Sequence, residues 1–224
     1  MIKRIIKRDG SIERFDIMKP GDWLKYSSKE LDPDLVDISS ILIEACQTGK
    51  EEMSSQDFQK LLITVALSRG SFTSNRLAGK LYACYIHKNI FPDGIPAIGD
   101  FVKKLQGLGL MDALPYTDEE YRTINTFIDN ERDKVMPYYA IQHILSKYAI
   151  GDSDLKLTYE TPQLACMRMA LELASKEDPS IRLEEVRNFY DEISFGRINA
   201  PTPNWRNLGT FSKGLASCCL YAVE

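Results

Sequence analysis

Residues 2–17, IKRIIKRDGSIERFDI, decide how the chain opens. Ile2, Ile5 and Ile6 stand on one side of Asp9-Gly10, and Ile12, Phe15 and Ile17 on the other. Two short apolar runs around such a dipeptide read as a β-hairpin. Asp-Gly suits a tight turn in which both central residues take positive φ.

Working outward from that hairpin, three helical stripes follow. Asp32-Pro33 is expected to cap and open a helix, with Leu35, Ile38, Leu42, Ala45 and Cys46 on one face and Gly49 as the stop. Ser54 and Asp57 resemble a capping box with a shortened carboxylate, ahead of Phe58, Leu61, Leu62 and Val65 and a stop at Gly70. Ser74 is expected to cap a third helix, with Leu77, Ala78, Leu81 and Tyr85 inward. Cys46 and Cys84 fall on or beside these apolar faces and read as core thiols.

Phe91-Pro92-Asp93-Gly94-Ile95-Pro96 breaks the pattern and marks a domain boundary, because proline and glycine interrupt helix and ladder alike. Beyond it the spacing predicts helices over 97–106, 118–130 and 138–148. A further helix opens at Thr161-Pro162, with Leu164, Met167, Leu171 and Ala174 on one stripe, and another spans Arg182 to Glu192. Ile198 to Pro203 is expected to be extended, since proline restricts the residue before it. Ser217 to Val223 reads as a buried strand, which needs neighbours on both sides. No upstream segment offers one, so the expectation is a fold that continues on another polypeptide, or a chain that is a fragment.

Composition bounds the function classes. The 224 residues suffice for one large domain or two small ones. Apolar residues make up 44% and charged residues 27%, which excludes disorder and collagen-like repeats. No apolar run approaches the ~18–20 residues of a membrane span, and the first ten residues lack a signal-peptide pattern, so a cytoplasmic chain is expected with no membrane partner. A net charge of -4 gives a nucleic-acid partner no support. The five cysteines, Cys46, Cys84, Cys166, Cys218 and Cys219, form neither a disulfide framework nor a CxxC zinc pattern, and no metal is expected in this chain.

Two segments together resemble a known family. Lys7-Arg8-Asp9-Gly10-Ser11-Ile12-Glu13-Arg14-Phe15-Asp16 followed by three helices resembles an ATP-cone, the nucleotide-sensing module at the front of many ribonucleotide reductase large subunits. Residues 126–219 resemble the helical N-terminal region of the same subunit. The marks are Thr126 to Asp133 (TFIDNERD), Tyr159 to Gln163 (YETPQ), Phe189 to Ser194 (FYDEIS), Pro201-Thr202-Pro203 and Ser217-Cys218, in the family's order. The resemblance implies a mainly α fold. An ATP-cone, a β-hairpin cap on a helical bundle, occupies 1–92. A helical domain occupies 93–215, and 216–224 is the first strand of an otherwise absent α/β barrel. In the family that barrel carries the thiyl-radical cysteine, the proton-handling Asn and Glu, and the second redox cysteine.

The resemblance assigns Cys218 as one of two cysteines that reduce the substrate and end as a disulfide. A partner thiol must approach within about 5.5–6 Å between Cα atoms. Adjacent Cys219 cannot easily do so, and strand alternation turns it to the opposite face. Thr202 and Ser217, with Cys218, match substrate-contacting positions. Lys7 matches a nucleotide-contacting lysine. Glu13, Arg14, Phe15, Asp16, Ile17, Met18 and Lys19 match the second strand and the turn into the first helix. Ser54 matches a helix cap and Lys88 a late-helix lysine. The implied effector is ATP or dATP, because a triphosphate needs cations and backbone donors. One departure stands out. Pro20-Gly21 follows Lys19 where the family runs directly into a helix, and this is expected to weaken that helix and to reshape or abolish the adenine pocket.

The implied activity is ribonucleoside-diphosphate reduction. Its implied partners are the complementary C-terminal portion of the large subunit, a radical-generating small subunit and the diphosphate substrate, with a homo-oligomer left open. No turnover is expected from this chain alone. A stand-alone regulatory module without chemistry is the alternative reading, which Cys218, Thr202 and Ser217 speak against. A cone-containing transcription repressor would carry a four-cysteine zinc ribbon that is absent here.

Overall fold

Ile5 and Glu13 face each other across an antiparallel pair, β1 (Arg4–Ile6) and β2 (Ile12–Arg14), in the computed structural model, which describes residues 2–152, 157–212 and 214–218. The turn is wider than the sequence suggests. Lys7 N–H donates to the Ser11 carbonyl (2.8 Å) and Gly10 N–H to the Lys7 carbonyl (3.0 Å), so the loop is Arg8-Asp9-Gly10. Gly10 takes φ +83°, the left-handed residue that closes a three-residue hairpin loop. The Asp9 carboxylate accepts from Ser11 N–H (2.9 Å) and from its hydroxyl, which fixes the wider loop.

Residues 1–89 and 133–142 form one compact unit, and 90–132 with 143–224 a second. In the first, β3 (Glu52–Ser54) adds to β1 in parallel, giving the order β2-β1-β3. The crossover between β1 and β3 contains α1 (Met18–Ser28) and α2 (Ile38–Thr48); α3 (Ser55–Ser68) and α4 (Phe72–Ile90) follow. Ile41, Leu62, Leu77 and Leu81 are fully buried with Leu24 and Ala45, so the helices pack on one core beneath the sheet.

Several caps differ from expectation. Asp32 caps only a 3-10 turn, Pro33–Leu35, accepting from Asp34 N–H at 3.0 Å. The chain then extends at Val36, and Asp37 caps α2 by accepting from Ser40 N–H (3.0 Å), which leaves Leu35 exposed. Two aspartates compete for one helix start, and the one that lets Val36 bury prevails. Ser54 caps α3 through Asp57 N–H (2.9 Å) and donates its hydroxyl to the Asp57 carboxylate. α4 starts before Ser74: Ser71 Oγ accepts from Ser74 N–H (3.0 Å), and Ser74 is buried within the helix. Despite Pro20 and Gly21, α1 runs unbroken from Met18, because a first-turn residue has no intrahelical N–H bond to lose.

The 133–142 segment packs on α4. His87 Nε2 lies 2.7 Å from the Asp133 carboxylate, and the Tyr82 and Tyr138 rings meet at 4.8 Å. A Cβ on Gly79 would stand 2.1 Å from the Met136 carbonyl oxygen, so only glycine lets these backbones touch.

The second unit holds α5 (Ile98–Gly107), α6 (Asp118–Ile124), the two-residue strands β4 (Gly151–Asp152) and β5 (Leu157–Thr158), α8 (Pro162–Leu173), α9 (Arg182–Ser194) and α10 (Thr202–Asn207). The helix α7 (Tyr138–Lys147) spans the division between the units. The helix expected over 118–130 ends at Ile124. Asp129 accepts from Glu131 N–H (3.0 Å) and starts a separate 3-10 turn, Asn130–Val135. Pro162 to Leu171 are all buried, making α8 the centre of this unit against α9 and α10. The extended reading of 198–203 holds only to Pro201. Thr202-Pro203 opens α10, since proline at the first turn needs no N–H partner. Ser217 and Cys218 are exposed and not in a strand, and the remainder of the expected strand, with Cys219, lies outside the described residues.

Candidate functional site

Strand alternation puts Ile5, Lys7, Glu13 and Phe15 on one face of the hairpin, because Ile5 pairs with Glu13 and each has a neighbour two residues on. The α3 stripe Ser55, Phe58, Gln59 and Leu62, spaced i, i+3, i+4, i+7, faces them. Asp16, Lys19, Pro20 and Trp23 from the start of α1 close the third side around a pocket of about 170 Å³. Its floor is aromatic: the Phe15 and Phe58 rings meet edge-on at 5.4 Å.

At the mouth, one Glu13 oxygen accepts from both Lys7 Nζ and Lys19 Nζ, each at 2.9 Å. The Lys7 hydrogen bond, then that of Lys19, holds the Glu13 carboxyl below the usual glutamate range. Glu13 in turn raises the Lys19 ammonium above its ordinary value. Two ammonium groups share the Glu13 carboxylate, and Asp16 in the same wall adds a second acid that also raises Lys19, so the charges beside the apolar slot balance.

Of the expected effector residues, Lys7, Glu13, Phe15, Asp16 and Lys19 meet in this pocket. Arg14 is exposed and alternates away from Glu13 and Phe15. Ile17 and Met18 are exposed, Ser54 is spent on its cap, and Lys88 is exposed on α4; none of these lines the wall. Pro20 is a wall residue, so the departure after Lys19 reshapes a surface of the pocket while α1 persists. Trp23, Ser55, Phe58 and Gln59 were not anticipated. Phe58 read as core, and Ser55 and Gln59 flank that stripe with only their helical spacing to signal them.

In the second unit a larger open cavity, about 670 Å³, is lined by Thr202, Arg206, Asn207, Tyr148, Thr210 and Ser212 among others, and its wall reaches Ala216, just before Ser217. Thr202 is thus in a cavity, while Ser217 and Cys218 are exposed beyond it. Beneath the cavity lies an ion pair with both side chains fully buried. Arg168 donates Nε to Glu160 Oε1 (2.7 Å) and Nη2 to Oε2 (3.1 Å). The same guanidinium donates to the Trp205 carbonyl (3.0 Å) and the Leu208 carbonyl, and Glu160 accepts from Ile150 N–H (2.8 Å). One buried pair therefore fixes both the end of α10 and the Ile150 wall. The sequence signal for it is a lone charged residue, Arg168, inside the apolar run LACMRMAL.

Tyr190 anchors the other side of α8. Its hydroxyl donates to Gln163 Oε1 (2.7 Å) and accepts from Asp129 N–H (2.9 Å), and burial raises its phenol well above the ordinary value. Among the described residues no group of His, Cys, Asp and Glu could hold a metal, and no helix is long and apolar enough to cross a membrane.

Residues 136–212 match the family described as "Ribonucleotide reductase, all-alpha domain". The chain is 29% identical over 223 residues to ribonucleoside-diphosphate reductase 1 subunit alpha of Escherichia coli, covering 96% of the chain and 29% of that relative. It is 28% identical over 227 residues to the alpha subunit of Haemophilus influenzae, covering 98% and 30%, and 28% identical over 231 residues to that of Synechocystis, covering 99% and 29%. The chain thus spans under a third of the length of these relatives.

Proposed function

Because this chain corresponds over nearly its whole length to the N-terminal part of ribonucleotide reductase large subunits, we propose that it supplies three things to ribonucleoside-diphosphate reduction: a nucleotide effector site, part of the substrate site, and one redox cysteine. The proposed cone, residues 1–92, takes ATP or dATP, with the base against Phe15, Trp23 and Phe58 and the phosphates at Lys7 and Lys19. The proposed substrate face is the cavity bearing Thr202, with Ser217 and Cys218 following its wall. Cys218 and a second thiol from the rest of the large subunit give two electrons and two protons to the ribose, whose 2′-oxygen leaves as water, and become a disulfide. A radical-generating small subunit starts the reaction.

The observation that carries this reading is the shared face of Ile5, Lys7, Glu13 and Phe15. Lys7 on that face and Lys19 from α1 meet at Glu13 beside an aromatic slot, a donor set suited to a purine nucleotide. Calorimetric titration with ATP tests it. Lys7→Ala removes a charge-assisted bond and should weaken binding by about 1.5–3 kcal/mol. Equal affinity in the two proteins would remove the effector assignment.

A further inference from the structure

Thr202 and Arg206 are four residues apart on α10, so their side chains share one helix face. Both are exposed and both line the second unit's cavity. The Arg206 side chain makes no hydrogen bond or ion pair among the described residues. In the same unit Arg132, Arg168, Arg182 and Arg197 are each committed to a carboxylate. The described cavity walls carry hydroxyls and amides from Tyr148, Asn207, Thr210 and Ser212 but no Asp or Glu, so Arg206 is their one charge. Asn207 and Thr210 donate to the Gly214 and Asn207 carbonyls and Tyr148 bonds His143, so the uncommitted guanidinium with the Thr202 and Ser212 hydroxyls, in a concave wall without acids, is the donor set for phosphate oxygens.

The backbone beneath it is already fixed. Buried Arg168 holds the carbonyls of Trp205 and Leu208, on either side of Arg206, and Glu160 holds Arg168. Little backbone freedom is left to lose when a ligand binds.

We propose that Arg206 is a phosphate-binding residue of this cavity, engaging the diphosphate of the nucleotide substrate through its forked N–H donors. The proposal rests on reading the cavity as part of the substrate site, and adds a charged contact that none of the sequence marks includes.

Titration of the full chain with inorganic pyrophosphate, followed by calorimetry, tests it. A Lys7→Ala/Lys19→Ala variant is run in parallel to separate anion capture by the first unit. The wild type should bind, and Arg206→Gln should weaken binding by about tenfold or more, with Arg206→Lys intermediate. The Lys7→Ala/Lys19→Ala variant should keep the binding that depends on Arg206. Because Arg206 is exposed and unpaired, thermal midpoints should not move. Absence of binding at ~10 mM pyrophosphate, or equal affinity in Arg206→Gln, overturns the proposal. If Arg206→Gln loses binding while Thr202→Val matches the wild type, Arg206 stands and the substrate role of Thr202 falls.

Discussion

Glu13 is the residue on which the first pocket's electrostatics turn. Its carboxyl is depressed by Lys7 and Lys19, so the bridge contributes stability above the ordinary glutamate range and loses it as pH falls through the lowered value. Glu13→Gln should flatten that part of the acid limb. Denaturation midpoints of both proteins, followed down through the acid range, check it; parallel curves would mean that the bridge contributes nothing. Gly79 makes the sharpest steric prediction. A methyl there meets the Met136 carbonyl at 2.1 Å and Tyr138 N at 2.8 Å, both backbone atoms, so relaxation requires main chain to move. Gly79→Ala should destabilise the first unit by about 1–3 kcal/mol, the usual cost of overpacking, read as a lower urea midpoint. Neither residue's partner could be read from sequence. Alternation placed Glu13 and Phe15 together, but nothing in the string joins Gly79 to Met136, 57 positions later.

At the scale of elements, apolar spacing was the legible signal and capping the ambiguous one. The stripes Leu77-Ala78-Leu81 and Leu164-Met167-Leu171 are buried as their spacing predicts. The helix starts moved, because aspartates and serines cluster at 32–37 and 71–74 and only packing selects among them. The turn at Asp9-Gly10 took three residues because the Asp9 side chain bonds Ser11. Helix α1 shows propensity giving way to position: Gly21 weakens a helix that still forms. A Cβ at Gly21 would meet Leu42 Cδ2 at 3.5 Å, an ordinary contact. Gly21→Ala should therefore raise stability by up to ~1 kcal/mol; a lower midpoint would show that the α1–α2 contact is tighter than described. The Glu160–Arg168 pair predicts the opposite. Arg168→Met strands a buried carboxylate and should cost about 3–5 kcal/mol by urea denaturation, whereas a loss below ~1 kcal/mol would show the pair is not what holds α10.

For the molecule as a whole, Pro92, Gly94 and Pro96 interrupt the helical pattern at 91–96, and the chain passes from the first compact unit to the second between Asn89 and Ile90. The return of 133–142 to the first unit was not legible, since it depends on Gly79 and on the His87–Asp133 contact far apart in sequence. The sequence singles out Thr202 and not Arg206, because it reads 198–203 as extended and only the helix α10 brings the two onto one face. We propose that this chain supplies the N-terminal part of a reductase large subunit and that its chemistry runs through Cys218. The most direct measurement is deoxynucleotide formation by the large subunit assembled from this chain and its complementary portion, with the small subunit and a reductant. The account predicts no turnover from the chain without that portion, multiple turnover with it, loss of multiple turnover in Cys218→Ser, and retained turnover in Cys219→Ser. An active Cys218→Ser with an inactive Cys219→Ser would contradict it.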